Sequence, residues 1–331
     1  MNILLKVINS VGNRAGFPLA LFPGAQIVGC TVMDIVTNAE AQFAASKALC
    51  MRYKTPIVIT AMDLSVEAEA FGCSTHFAEN EIPTISAPAI NSESDINSLR
   101  IPEPGEKRTS VYLKTTKLLK SIEFKPLVFS VMIGPFSLAG RLIGMNEILC
   151  MTITDPGSVH KLLEKCSMFL SRYAEAFKKE GADGLLIAEP AAGLLSPPAV
   201  EEFSSNYIRQ IVSAHQDDSF EIVLHNCAAK LQHLNSIISA QTNGLHFGSP
   251  MNIVEAAKTA SDRVVFGNLD PTSIFLRAKP EETFEKTAEL LEKTAGYKNF
   301  VISSGCDIPA GTNIENIDAF YDACRNAILK T

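Results

Sequence analysis

The segment GLLIAEP at Gly184–Pro190 sets the reading of the fold, because its apolar residues run without alternation and stop at an acid and a proline. Continuous hydrophobicity over so short a run marks a parallel strand buried on both faces; a strand with one wet face would alternate. The same pattern returns toward the C-terminus as IVLHNC (Ile222–Cys227), GLHFGS (Gly244–Ser249), VVFGNLD (Val264–Asp270) and NFVISSGC (Asn299–Cys306). Toward the N-terminus it returns as LVFSVMIG (Leu127–Gly134), PIVITAMD (Pro56–Asp63) and FPLALFP (Phe17–Pro23). Helical patterns lie between the runs, at Asn38–Tyr53, Ser158–Glu180, Pro198–His215, Pro280–Thr294 and Asn316–Leu329, several with a proline or acid near the start. Eight such alternations in 331 residues predict an α/β protein of the (β/α)8 TIM-barrel type. A doubly wound open sheet is the competing architecture, but no G-x-G-x-x-G follows the first run.

Ser74–Glu123 breaks the rhythm. It is rich in Ser, Thr, Asn and Pro, and reads as a polar excursion inserted after the second strand, over the barrel mouth, with some helix of its own. No Gly/Ser-rich linker divides the chain, so residues 1–331 are expected to form a single domain. Hydrophobic residues make up 47% and charged residues 20%, the balance of an ordered globular protein. A net charge of −7 offers nothing to nucleic acid or to an anionic membrane surface. The opening MNILLKVINSVGNRAG lacks the plan of a secretory signal, and no apolar run approaches a membrane span, so a soluble cytoplasmic protein is expected.

The chemistry of a barrel sits where strands run into the following loops. Three of those ends carry soft or borderline metal ligands: His225 and Cys227 in one, Cys306 in another. In an extended chain, residues two apart project to the same side, so His225 and Cys227 point together. Two thiolates and one imidazole, with a fourth position open, suit a catalytic zinc rather than a closed structural one. The competing reading is that a cysteine in a buried strand is inert packing, and Cys30, Cys50, Cys150, Cys166 and Cys324 are placed in that class. Cys73 stays open, since it ends a segment near the rim.

Over most of its length, and most clearly from Gly181 to the end, the chain resembles the uroporphyrinogen decarboxylase superfamily, and within it the zinc-dependent methylcobamide:coenzyme M methyltransferases. The segments that carry the resemblance are GADGLLIAEP (181–190), VLHNC (223–227), FGNLDP (266–271) and SSGCDIPAGTNIENIDAF (303–320), with DLSVEAEAFGC (63–73) earlier. The resemblance implies a (β/α)8 barrel and a zinc ion on His225, Cys227 and Cys306. It further implies methyl transfer from a methylated corrinoid to a small thiol such as coenzyme M. A bound zinc would hold the incoming thiol as a nucleophilic thiolate. The decarboxylases of the superfamily carry an Arg-Gln-Ala-Gly-Arg stretch for a substrate rich in carboxylates. The corresponding Asn13-Arg14-Ala15-Gly16-Phe17 keeps one arginine at most.

No D-x-H-x-x-G corrinoid-binding stretch occurs, so the corrinoid is expected on a separate carrier protein docking over the rim, with Ser74–Glu123 a candidate surface. Glu189 is a candidate fourth ligand or supporting group. Asp63 and Asp307 are candidates to orient His225 or bind substrate, though strand-end aspartates often cap the next helix. Asn268 and Ser304 offer hydrogen bonds at the rim. His76, His160, His215, His233 and His246 have no ligand-like spacing and read as surface or packing residues. Arg14 and Arg141 are candidates for an anionic group on the thiol. Homocysteine, another small thiol or tetrahydrofolate remain open as acceptors, and the oligomeric state is left open.

Overall fold

Seven of the eight apolar runs become strands of one parallel sheet in the computed structural model, which describes residues 3–10 and 16–327. In chain order the strands are β1 (Ile57–Ile59), β2 (Ser74–Ala78), β3 (Glu81–Ala87), β4 (Leu127–Ile133), β5 (Gly184–Ala188), β6 (Glu221–Asn226), β7 (Gly244–Phe247), β8 (Val264–Leu269) and β9 (Phe300–Ser304). The sheet runs β1-β4-β5-β6-β7-β8-β9, every neighbouring pair parallel, while β2 and β3 form a separate antiparallel hairpin.

The strand period of two sorts side chains into two cores. Ile57, Ile59, Phe129, Val131, Leu186, Val223, Val264, Phe266 and Val301 share one inner cluster, although their strands span the full width of the sheet. Only a curled sheet brings its two edges into one cluster. Their outward neighbours, such as Leu185, Ile187, Ile222, Leu224, Val265 and Ile302, pack instead with the surrounding helices, including the long Pro156–Lys179 helix. Burial on both faces is what the unbroken apolar runs encode.

The first run departs from expectation. Phe17–Pro23 contributes no strand; residues 17–20 have no regular secondary structure and the chain then turns into the helix Gly24–Val28. Phe17 N–H donates to Ile302 O at 2.9 Å and Leu19 N–H to Ser304 Oγ at 2.9 Å, so the segment lies along β9. Phe17 and Leu19 join the inner cluster. The ladder to β9 fails because side chains replace its backbone partners, Leu19 N–H going to the Ser304 hydroxyl and Phe17 O accepting from the Ser303 hydroxyl, while Pro18 has no N–H for a neighbour on the other side. The N-terminal helix Ile3–Ser10 adds Leu4 to the same cluster, and Ile3 N–H donates to Glu221 Oε1 at the start of β6, 3.0 Å away.

Residues 74–123 hold the β2–β3 hairpin and the helices Glu93–Ser98 and Thr109–Leu119. The second of these packs on β4 and on the helix Ala39–Tyr53, so it belongs to the layer around the sheet. The helix expected over 198–215 is interrupted by a π-turn at Glu201–Ser205. Among the described residues, no single helix is long and apolar enough to cross a membrane.

Leu186 is buried in the inner cluster, whereas Leu194, just past the end of β5, is 59% exposed. Truncating Leu186 to Ala is expected to cost about 2–5 kcal/mol, read as a lower urea midpoint, with Leu194→Ala nearly neutral. Equal midpoints for the two variants would show that the inner cluster is not a packed core.

Candidate metal centre

His225 sits at the penultimate position of β6 and Cys227 directly follows the strand; Cys306 lies two residues beyond the end of β9. The curl of the sheet brings these two ends together. One ligand atom from each of the three residues lies within 4.8 Å of the others. Cys306 Sγ is 3.6 Å from His225 Nε2. Nitrogen and sulfur ligands of one tetrahedral zinc, at their usual bond lengths, stand about 3.6 Å apart, so the donor set fits that ion in chemistry and in spacing. His225 is buried, whereas Cys227 and Cys306 are half-buried, which leaves the group open on its sulfur side.

Cys227 lies against Cys306 and His225, which lower its pKa well below that of an ordinary thiol, against the effect of burial. Cys306 is pushed up by its neighbour Cys227 and by burial. A cation bound between them would hold both sulfurs as thiolates.

Glu189 and Asp63 are not brought into this group. Glu189 is fully buried, and its carboxylate accepts the backbone N–H groups of Phe136 and Ser137, each at 2.8 Å, and the Ser204 hydroxyl at 3.0 Å. It therefore caps the helix Pro135–Ile143 at the positive end of its dipole. Burial raises its pKa while these donors pull the other way. Any side chain at Gly134 would collide with this carboxylate, which accounts for the glycine. Asp63 pairs with the buried Arg108 at 2.5 Å and accepts from Ser65 N–H and Oγ; Glu69 and Ser65 take the remaining guanidinium edges.

Within the same cluster, Glu67 is enclosed, accepts Ile133 N–H at 3.1 Å, and is pushed up to about 8 by burial. Asp307, beside Cys306, has buried carboxyl oxygens, and burial pushes it well above the usual range. Asn268 donates to Gly248 O and Met251 O, a local brace.

The histidines divide. His160 contacts Tyr207 and Glu202, His215 contacts Ser171, His233 meets Lys230 N–H, and His76 lies on β2. His246, read from the sequence as packing, instead places its Nδ1 2.8 Å from Nδ1 of His225, and its Nε2 2.9 Å from Ser303 Oγ. The β6–β7 register sets His225 directly beside His246. Neither His246 nor Ser303 was singled out by motif; inward parity within their runs is the signal that marks them. All eight cysteines are free thiols, and Cys150, expected to be packed, is exposed on the helix Met145–Thr154. Cys73 is buried, with its thiol against Arg141 O. Arg141 is half-buried on Pro135–Ile143, and Arg14 lies outside the described residues.

The chain matches the family model of uroporphyrinogen decarboxylase (URO-D) over residues 21–327, and it belongs to that family. It is 28% identical to the methylcobamide:CoM methyltransferase MtbA of Methanosarcina acetivorans over 268 residues, 80% of this chain and 78% of that one. It is 24% identical to the uroporphyrinogen decarboxylase of Pseudoalteromonas atlantica over 320 residues, 94% of this chain and 89% of that one. A methyltransferase structure from Methanosarcina mazei superposes with a TM-score of 0.87 at 20% identity, covering 97% of each chain.

The Glu67 carboxyl yields a pH prediction. Its pKa is raised on folding, so its contribution to stability is full below the unfolded value near 4.5 and is lost as pH climbs through about 8. Wild type should therefore weaken between pH 5.5 and 8.5 relative to Glu67→Gln, by up to roughly 4 kcal/mol. Parallel urea midpoints for the two proteins across that range would refute the assignment.

Proposed function

We propose that this member of the uroporphyrinogen decarboxylase family is a zinc-dependent methyltransferase that moves a methyl group from a methylated corrinoid to a small thiol such as coenzyme M. The observation that carries the reading is the convergence of His225, Cys227 and Cys306 to within 4.8 Å from two strands far apart in sequence. Two sulfurs and one imidazole are the ligand set of a zinc site that keeps a position open for a substrate. When bound there, zinc supplies the positive charge that keeps a thiol deprotonated at neutral pH. The residues' own work is to fix that position. His225 is buried and held from behind by His246, while the half-buried cysteines face the approach.

In the transfer, the cobalt–carbon bond breaks as the sulfur–carbon bond forms. Cobalt keeps the electron pair, passing from Co(III) to Co(I), and the thiol's proton leaves to solvent. The corrinoid supplies the reactive carbon and the protein supplies position. The naming of relatives as methylcobamide:CoM methyltransferases supports the donor and the thiol class. We further place the corrinoid on a carrier protein docking over the rim, with residues 74–123 as a candidate surface, in a cytoplasmic protein whose eight unpaired thiols suit a reducing compartment. In this reading residues 1–331 are one domain, and the docked segment 17–19 stands in for the eighth strand of the barrel.

Metal analysis tests the centre. Purified wild type is expected to carry about one zinc per chain, Cys306→Ala to lose it, and Cys150→Ser to keep it. Discharge of methylcobalamin to Co(I), followed by its spectrum, is expected with a thiol and abolished in Cys227→Ala. Full zinc in Cys306→Ala would remove the site. Loss of carboxylates from uroporphyrinogen, without discharge of the corrinoid by any acceptor, would assign the chain to the decarboxylases.

A further inference from the structure

Behind His225 the lumen holds a line of buried polar groups that ends on the backbone of the docked N-terminal segment. Ser303 Oγ stands 2.5 Å from Phe17 O, 2.9 Å from His246 Nε2, and His246 Nδ1 stands 2.8 Å from His225 Nδ1. His225, His246 and Ser303 are all buried, so no bulk water competes for these atoms. Each contact needs one proton between its two heavy atoms. A carbonyl oxygen accepts only, so the Ser303 hydroxyl proton points to Phe17 O. Ser303 Oγ then has only lone pairs for His246, and His246 Nε2 carries a proton. With two Nδ1 atoms in hydrogen-bond contact, one bears a proton and the other a lone pair. Nδ1 of His246, already a donor at its other nitrogen in the neutral ring, supplies the lone pair. His225 donates from Nδ1.

We propose that Phe17, Ser303 and His246 form a one-way hydrogen-bond chain that fixes His225 with its proton on Nδ1 and its lone pair on Nε2, the atom that faces Cys306. His246 and Ser303 are thus positioning residues for the metal centre. The geometry holds the rings as well as the protons. The ring of Phe266 lies nearly parallel to that of His246, with centroids 6.2 Å apart at 15°, and Phe17 meets Phe266 edge-on at 6.0 Å. A ligating histidine is oriented by the partner of its other nitrogen; here that partner is a second histidine whose own tautomer is set by a serine. The functional consequence rests on the zinc reading of His225, Cys227 and Cys306, whereas the proton order does not.

Nitrogen-15 NMR of the histidine-labelled, metal-free protein reads the tautomers directly. The expected spectrum shows His225 protonated at Nδ1 and His246 at Nε2; His225 protonated at Nε2 alone would overturn the chain. Zinc affinity, measured by competition with a chelator, is expected to fall about 10- to 100-fold in Ser303→Ala and to be retained in Ser303→Thr, which keeps the hydroxyl. Equal affinity in wild type and Ser303→Ala would overturn the positioning role. Should Ser303→Ala fail to fold, judged by circular dichroism, the wild-type spectrum still decides the tautomers. A wild type with the expected tautomers but no zinc affinity would sink the zinc reading and leave the chain standing.

Discussion

Alternation along a buried parallel strand is the constraint on which the rest of this structure depends. Because successive side chains leave opposite faces, each inner strand spends half its residues on the lumen and half on the helical layer. On β6 that parity sends Val223 into the apolar inner cluster and raises His225 one step above it. On β9 it does the same with Val301 and Ser303. A one-residue slip of either strand would turn the polar group into the helical layer. The site is a polar storey built on an apolar floor, and the floor's register sets where the polar atoms stand.

The same arrangement decides which polar groups do chemistry and which hold the scaffold. Glu189 ends β5 close to the centre in sequence logic, yet its two oxygens are consumed by a helix N-terminus and a serine. A buried carboxylate without such donors would carry a desolvation penalty of several kcal/mol, so its engagement is a condition of its burial. Asp63 is likewise spent on Arg108. The three metal-type ligands differ because the protein satisfies them incompletely: the two cysteines are free and half-buried, and His225 Nε2 faces the Cys306 sulfur at 3.6 Å.

Much of this was legible in the sequence, and the limits have physical causes. Seven apolar runs announce their strands because burial on both faces leaves no polar alternation to confuse them. The eighth, FPLALFP, carries the same composition, but its bonds to β9 run partly through the hydroxyls of Ser303 and Ser304 and Pro18 has no N–H, so composition overstates it. The β2–β3 hairpin escaped because STHFA and EIPTISA are polar and half-exposed, without the signature the inner strands share. His225, Cys227 and Cys306 were found because strand ends are local features. His246 and Ser303 were not, because they stand 57 residues apart and meet across β8 through register and curl. Glu189 and Asp63 were recognised as strand-end acids, but which donor each would face depends on the packing of elements far away in the chain.

The docked segment at Phe17 ties these strands of reasoning together. Its N–H completes a hydrogen bond to β9, its ring braces Phe266, and its carbonyl receives the last proton in the line from His225. Closing a connection of 286 residues costs loop entropy that grows only slowly with length, so a few buried contacts suffice to hold it. Each of those contacts also orders the site. If residues 17–19 detached, Ser303 would lose its acceptor and could turn its proton toward His246. The two imidazoles would then lose the directional cue that leaves Nε2 of His225 free. Docking of the segment and readiness of the ligand are therefore coupled, and a cation bound at His225 would stabilise the docked N-terminal segment by the same free energy with which docking favours the cation.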